Sequence, residues 1–121
     1  MIVRGVAAAG ATLVLLMPAL LGAHASLERA EPRVSSRVKS PPRSVQLWFT
    51  ENLEPAFSSV RVLDGRGVRV DLGDARVDDT NQALLRVGLT PLIAGTYRVS
   101  WRVVSVDTHV SEGDFTFVVA P

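Results

Sequence analysis

The sequence predicts an all-β domain, an antiparallel β-sandwich of about seven short strands with Greek-key connections, preceded by a leader segment. Three observations carry that reading. After residue 23 the chain contains repeated short runs in which apolar and polar residues alternate, the period of half-buried strands. Almost nothing in the same region repeats at helical spacing. A Gly-x-Tyr step, Gly95-Thr96-Tyr97, opens the longest run, the pattern of the tyrosine corner that makes the sandwich Ig-like.

The elements follow in order. Arg4 is the only charge before Glu28, Val6 to Met17 is unbroken and apolar, and Pro18 then Gly22 and Ala23 close the stretch. A charged start, apolar middle and small-residue end define a secretory signal peptide over residues 1–23. Val6 to Ala23 is also just long enough to anchor in a bilayer, but Pro18 and the small residues favour cleavage. One cut leaves His24 first. A second, after Ala23-His24-Ala25, fits the A-x-A rule better and discards His24. Sequence rules alone leave both open.

A short strand is expected near Ser26 to Ala30. Ser35 to Ser44, with two prolines and three basic residues, reads as a solvated loop. Val45, Leu47 and Phe49 share one face of the first clear strand. Val60 and Val62 lead into Asp64-Gly65-Arg66-Gly67, with Val68, Val70 and Leu72 beyond it, a hairpin whose turn tolerates positive φ. Leu85, Val87 and Leu89 alternate after the polar loop Asp78-Asp79-Thr80-Asn81. Tyr97, Val99, Trp101 and Val103 share a face of the longest strand, about Thr96 to Ser105. Phe115, Phe117 and Val119 share a face of the last.

Composition excludes several chemistries. The chain has no cysteine, so it offers no thiolate nucleophile, thiolate metal site or disulfide. Its two methionines, Met1 and Met17, lie in the leader, so the domain has no thioether ligand. With Arg4 removed, acidic and basic side chains balance. A neutral domain without a basic stripe gives no support for nucleic-acid binding or for an anionic membrane surface. No glycine-rich phosphate loop joins a strand to a helix.

Two histidines are left, His24 and His109. If His24 is the first residue of the exported chain, its α-amino group and its Nδ1 can close one chelate ring on a metal. His109 follows Asp107 by two residues, and residues at i and i+2 project to the same side of an extended segment. These groups offer three nitrogens and one oxygen. Such a set suits tetragonal Cu(II), and the lack of sulfur disfavours Cu(I); tetrahedral Zn(II) fits the same donors.

The segment Trp101-Arg102-Val103-Val104-Ser105-Val106-Asp107-Thr108-His109 closely resembles the WRVVSxDxH stretch of CopC-type copper-resistance proteins. Phe49-Thr50-Glu51-Asn52-Leu53 is similar to their FSENL segment, and His24-Ala25-Ser26-Leu27 with Pro32 to their HxxL…P mature start. The resemblance covers essentially residues 24–120. It implies a CopC-like copper-binding domain over 24–121, holding one Cu(II) ion through His24, Asp107 and His109, with Glu51 near the site. It also implies cleavage before His24. Family members that also bind Cu(I) carry a Met-rich loop at the far end of the sandwich, whereas the stretch around Asp64 to Gly73 has neither Met nor His. The implied function is Cu(II) sequestration or delivery in the periplasm or outer envelope, as a monomer without enzymatic activity, beside a membrane transporter of the CopD type.

Two other classes fit parts of the pattern. A histidine brace on an Ig-like sandwich also occurs in copper monooxygenases. Against that class, the chain is short, Trp48 and Trp101 fall in strands rather than a flat surface array, and Asp107 would occupy the position oxygen needs. A metal-free Ig-like interaction module predicts that loss of His24 or His109 changes nothing.

Overall fold

The computed structural model describes residues 24–121. The leader assigned to residues 1–23 lies outside the described residues. The rest folds as two four-stranded sheets packed face to face. Strands β1 (Leu27–Glu31), β3 (Ser44–Phe49), β6 (Leu84–Gly88) and β5 (Arg76–Val77) form the first, in the order β1-β3-β6-β5. Strands β2 (Arg37–Val38), β8 (Val110–Val119), β7 (Gly95–Val104) and β4 (Ser59–Leu63) form the second, in the order β2-β8-β7-β4.

The alternation read in the sequence is the alternation between core and solvent. Val45, Leu47, Phe49, Val60, Val62, Leu85, Val87, Tyr97, Val99, Val103, Phe115, Phe117 and Val119 are all buried between the sheets. Fully burying side chains of this size contributes roughly 1.5–3 kcal/mol each, and no disulfide supplements that core. Trp101 faces inward beside them, its ring 6.0 Å from Phe49 and 6.2 Å from Phe115. It lies flat across Gly113, its cross-strand partner, where a Cβ would sit 2.3 Å from the indole. Trp48 points outward, with the Arg29 guanidinium 4.1 Å above its ring.

The tyrosine corner is formed as expected: the Tyr97 hydroxyl donates to the Ile93 carbonyl at 2.6 Å. It pins the connection into β7 at the end of the sandwich opposite the histidines.

The structure differs from the sequence reading at three places. Among the described residues there are eight strands, because two-residue elements at β2 and β5 complete the sheets. Strand β2 lies inside the expected solvated loop, paired parallel to β8 through Arg37↔Val118 and Val38↔Val119. Two residues are too few for alternation to reveal. The 68–72 arm of the expected hairpin is not a full strand. It makes only the isolated bridges Leu63↔Arg69 and Asp71↔Leu89, with Val68 and Leu72 exposed. The turn itself forms, with Asp64 N–H donating to the Val68 carbonyl at 2.8 Å.

Candidate metal centre

The longest ladder in the molecule carries the Asp-x-His motif. Strands β7 and β8, ten residues each, pair from Gly95↔Val119 to Val104↔Val110. The loop joining them is Ser105 to His109. A long two-strand hairpin between other strands is a rigid mount for its own turn, since each pair restrains the next.

Inside that turn the chain is tightly closed. Ser105 N–H donates to the His109 carbonyl at 3.0 Å, and Thr108 N–H donates to the Ser105 carbonyl at 2.8 Å. Thr108 has φ of 73°, the left-handed region that a β-branched residue rarely enters. Asp107 and His109 therefore do not share a side because the segment is extended, as i, i+2 spacing suggested. They meet because the turn folds back on itself: His109 Nδ1 stands 3.2 Å from Asp107 Oδ1. The Ser105 hydroxyl donates to the same oxygen.

A second strap holds this turn from outside. Leu53 bridges Ser105, Val106 N–H donates to the Asn52 carbonyl at 3.0 Å, and Glu54 N–H donates to the Val104 carbonyl at 2.8 Å. The N-terminal segment is tied to the same strap. Ser26 N–H donates to Thr50 Oγ1 at 2.9 Å, and Thr50 N–H returns a bond to the Ser26 carbonyl at 2.9 Å. Ala25 is buried in the core beneath. Anchored one residue away, His24 projects into solvent beside His109, with ring centroids 4.8 Å apart and planes inclined by 58°.

Three of the four residues named from the sequence are thus gathered at one end of the sandwich. Glu51 sits half-buried beside Thr50, next to the clamp, and makes no hydrogen bond or ion pair with the other three. Among the described residues no trio of His, Cys, Asp or Glu is already closed to the spacing of one ion. Two nitrogens sharing an ion through bonds of ~2 Å stand at most ~4 Å apart, a separation compatible with rings at this distance. In the full chain the His24 nitrogen is a peptide amide; only a chain beginning at His24 presents it as a donor.

The electrostatics favour a cation. The Ser105 hydroxyl, then the His109 ring, hold the Asp107 carboxyl below its ordinary value of 3.8. Its only ion-pair partner among the described residues is His109, half-exposed like Asp107 itself. Ser105 and Thr108 have no assigned role in the sequence reading. Their signal was in the motif, a serine two residues before the aspartate and a threonine between the two ligating types, but neither residue type points to turn geometry by itself.

The geometry defines the class as an Ig-like sandwich with two histidines and a carboxylate gathered at one end, His109 and Asp107 on a hairpin turn and His24 beside them. The comparisons with known proteins agree with that class. Residues 27–120 match the CopC domain, and the chain belongs to the CopC family. It is 35% identical over 98 residues to Protein YobA of Escherichia coli K12, covering 80% of this chain and 79% of that protein. It is 32% identical over 112 residues to Copper resistance protein C of Pseudomonas syringae pv. tomato, covering 87% of each. Among solved structures it is similar to CopC from Methylosinus trichosporium OB3b. That match has a TM-score of 0.76 and 35% identity, over 81% of this chain and 95% of that one. The methionine-rich copper resistance protein PcoC from Escherichia coli matches with a TM-score of 0.69 and 35% identity, over 80% of this chain and 99% of that one.

Proposed function

We propose that this chain, processed to begin at His24, carries one Cu(II) ion outside the cytoplasm, in the periplasm or at the outer face of the envelope. Residues 1–23 are the leader on this reading, and 24–121 the copper-binding domain. Copper is cargo: it is bound and passed on, and no reaction is assigned to the protein. The ligands are the His24 amine and ring, the His109 ring and the Asp107 carboxylate, with Glu51 nearby.

The observation that carries the reading is the approach of the His24 and His109 rings, 4.8 Å between centroids, with Asp107 held against His109 Nδ1. The donor set agrees with it, since three nitrogens and a carboxylate oxygen without sulfur match Cu(II) and not Cu(I). Family membership supports copper as the metal. The copper transport protein CutJ of Bacillus subtilis aligns with 87% of this chain over only 20% of its own length, at 30% identity. A domain of this kind inside a much longer copper transport protein supports a membrane transporter, of the CopD type, as the partner.

Intact mass spectrometry of the protein exported by its own host, with and without added Cu(II), tests the reading. A chain starting at His24 that gains one copper is the expected result. A chain starting at Ser26, or one that gains no copper, rejects it in favour of the metal-free module.

A further inference from the structure

The charges that lack partners are not mixed over the surface of this domain. From Pro32 to Thr50 the chain holds no acidic residue and four basic ones, Arg33, Arg37, Lys39 and Arg43. All four are exposed, and among the described residues none of them makes an ion pair. Strand pairing puts three of them at the end of the sandwich opposite the histidines. Arg37 lies beside Val118, and Val118 and Val119 stand opposite Thr96 and Gly95, where β7 begins. Lys39 follows β2 directly, and the Arg43 carbonyl accepts from Leu89 N–H at 2.9 Å. The aspartates of this end, Asp64, Asp71 and Asp74, already have Arg66, Arg69 and Arg76 beside them. Arg37, Lys39 and Arg43 therefore give this end an excess of positive charge. The balanced composition of the whole domain hides that separation.

The same end displays apolar surface that the core does not use. Ile93 is 79% exposed, yet its backbone is fixed, because its carbonyl accepts the Tyr97 hydroxyl. A pinned connection thus holds an aliphatic side chain in water. Beside it, Pro91 and Leu92 face Pro41, Pro42 and Arg43 across a cleft of about 410 Å³. Prolines carry no N–H, so this surface has fewer backbone donors to strip of water when it is covered. Arginine and lysine can lay their stems on apolar surface while their charges stay among polar groups. Cations around an aliphatic tip suit the boundary of an anionic bilayer, where headgroups meet the charges and acyl chains meet the tip. A purely acidic partner would account for the cations and leave Ile93 unexplained.

We propose that this end of the sandwich, through Arg37, Lys39, Arg43 and Ile93, docks peripherally on an anionic phospholipid bilayer. The proposal goes beyond the Cu(II) reading and does not depend on it. Strands β7 and β8 are ten residues each, so at about 3.4 Å per residue the histidines stand roughly 30 Å from the docked end. His24 and His109 stay in water when the protein is docked.

The experiment measures co-sedimentation of the chain starting at His24 with phosphatidylglycerol–phosphatidylcholine vesicles and with phosphatidylcholine vesicles, at low and high salt. Binding to the anionic vesicles alone, weakened by salt, is expected. Each cation at an anionic surface contributes about fivefold, so the triple variant Arg37→Gln, Lys39→Gln, Arg43→Gln should lose on the order of 100-fold in partitioning. Ile93→Ser should lose about 10-fold through its apolar area. All these side chains are exposed, so an unchanged Tm is the control for folding. Equal binding to neutral vesicles, or a triple variant that binds like the parent, overturns the proposal. So does a parent that binds polyglutamate but no vesicle, which would make the surface one for acidic proteins. Vesicle-bound protein is expected to take up Cu(II) as the free protein does; uptake blocked by docking would put the histidine end on the bilayer and overturn the placement. If the free protein binds no copper, the proposed function fails, while the vesicle comparison still decides the docking.

Discussion

Two turns in this molecule are built around aspartates, and they use them in opposite ways. In the 63–73 region, Asp64 accepts from the amides of Arg66 and Val68, both at 2.9 Å. Asp71 accepts from the Val62 amide at 2.9 Å and the Gly73 amide at 3.0 Å, and takes the Arg69 guanidinium at 2.9 Å. In the 105–109 turn, Asp107 has a serine hydroxyl, a histidine ring and, among the described residues, no arginine or lysine. The first pair of carboxylates is saturated by permanent donors and serves as a staple. Asp107 is held in place without a permanent positive charge beside it, which on the proposed reading leaves it free for a cation. On the proposed reading, the same residue type serves as structure or site according to whether a fixed positive charge lies beside it.

The largest effects should separate the two turns cleanly. His109→Ala is expected to weaken Cu(II) binding by more than ~100-fold, beyond the loss typical of an outer partner of a ligand. Its metal-free stability should stay within about 0.5 kcal/mol of the parent, because His109 is exposed at a turn. Asp71→Ala should do the reverse. It strands the backbone N–H of the buried Val62 at a cost of about 2 kcal/mol, lowering Tm by on the order of 10 °C and leaving copper affinity intact. Calorimetric melting and chelator competition on both variants check this. Copper affinity lost with Asp71, or kept without His109, would break the division between staple and site.

Adding one residue before His24 sharpens the same comparison. Ala25 stays buried and the Ser26–Thr50 clamp stays closed, so the His24 ring keeps its place while the amine moves out of chelating position. Affinity is expected to fall at least ~10-fold with no change in Tm, since one of the chelating donors is removed. An extended chain that binds copper as tightly as the parent would rule out the terminal amine as a donor.

Acid should also act on the two turns at different pH. Burial pushes Asp71 up, but the Arg69 guanidinium and the Val62 and Gly73 amides outweigh it and leave it below the ordinary 3.8. The Val68 and Arg66 amides lower Asp64 in the same way. A carboxyl lowered in the folded state contributes stability above its unfolded value and loses it as pH falls through the folded one. The metal-free protein should therefore lose Tm only below about pH 4, and Asp71→Asn should flatten that fall. On the proposed reading, copper release should come earlier, because protons compete with the metal for its donors. If release instead coincides with acid unfolding, proton competition at the nitrogens is not what controls binding.

How far the sequence reached follows from what each feature depends on. Strand faces were legible because alternation repeats over five or more residues, as in Phe115-Thr116-Phe117-Val118-Val119. Strands β2 and β5, two residues each, carry no period to detect, and β2 was read as loop. The metal-binding candidates were legible by elimination, since only two histidines exist and one stands two residues from an aspartate. The way Asp107 and His109 meet was not legible. It depends on the left-handed Thr108, and threonine gives no hint of that conformation. The contact of the Ser105 hydroxyl with Asp107 was hidden for the same reason, since it depends on how the turn closes, which spacing does not encode.

Thr108 supplies the smallest effect and the sharpest contrast. The far turn places glycines, Gly67 at φ 83° and Gly73 at φ 74°, where the chain turns left-handed. At the 105–109 turn a threonine sits at φ 73°, a conformation that costs a non-glycine residue roughly 1–3 kcal/mol. Thr108→Gly relieves that strain but adds freedom to the unfolded chain worth about 0.5–1 kcal/mol. With the strain of a single left-handed residue at the low end of that range, the net gain should be about 1 kcal/mol or less, a rise of a few degrees in the metal-free Tm. Copper affinity should move the other way, by a factor of ~2–5, because a glycine turn holds Asp107 and His109 less tightly and more ordering is left to the binding step. Melting and chelator competition on the same preparation test it. A gain in stability without a loss of affinity would mean that the strain at Thr108 does nothing for the site.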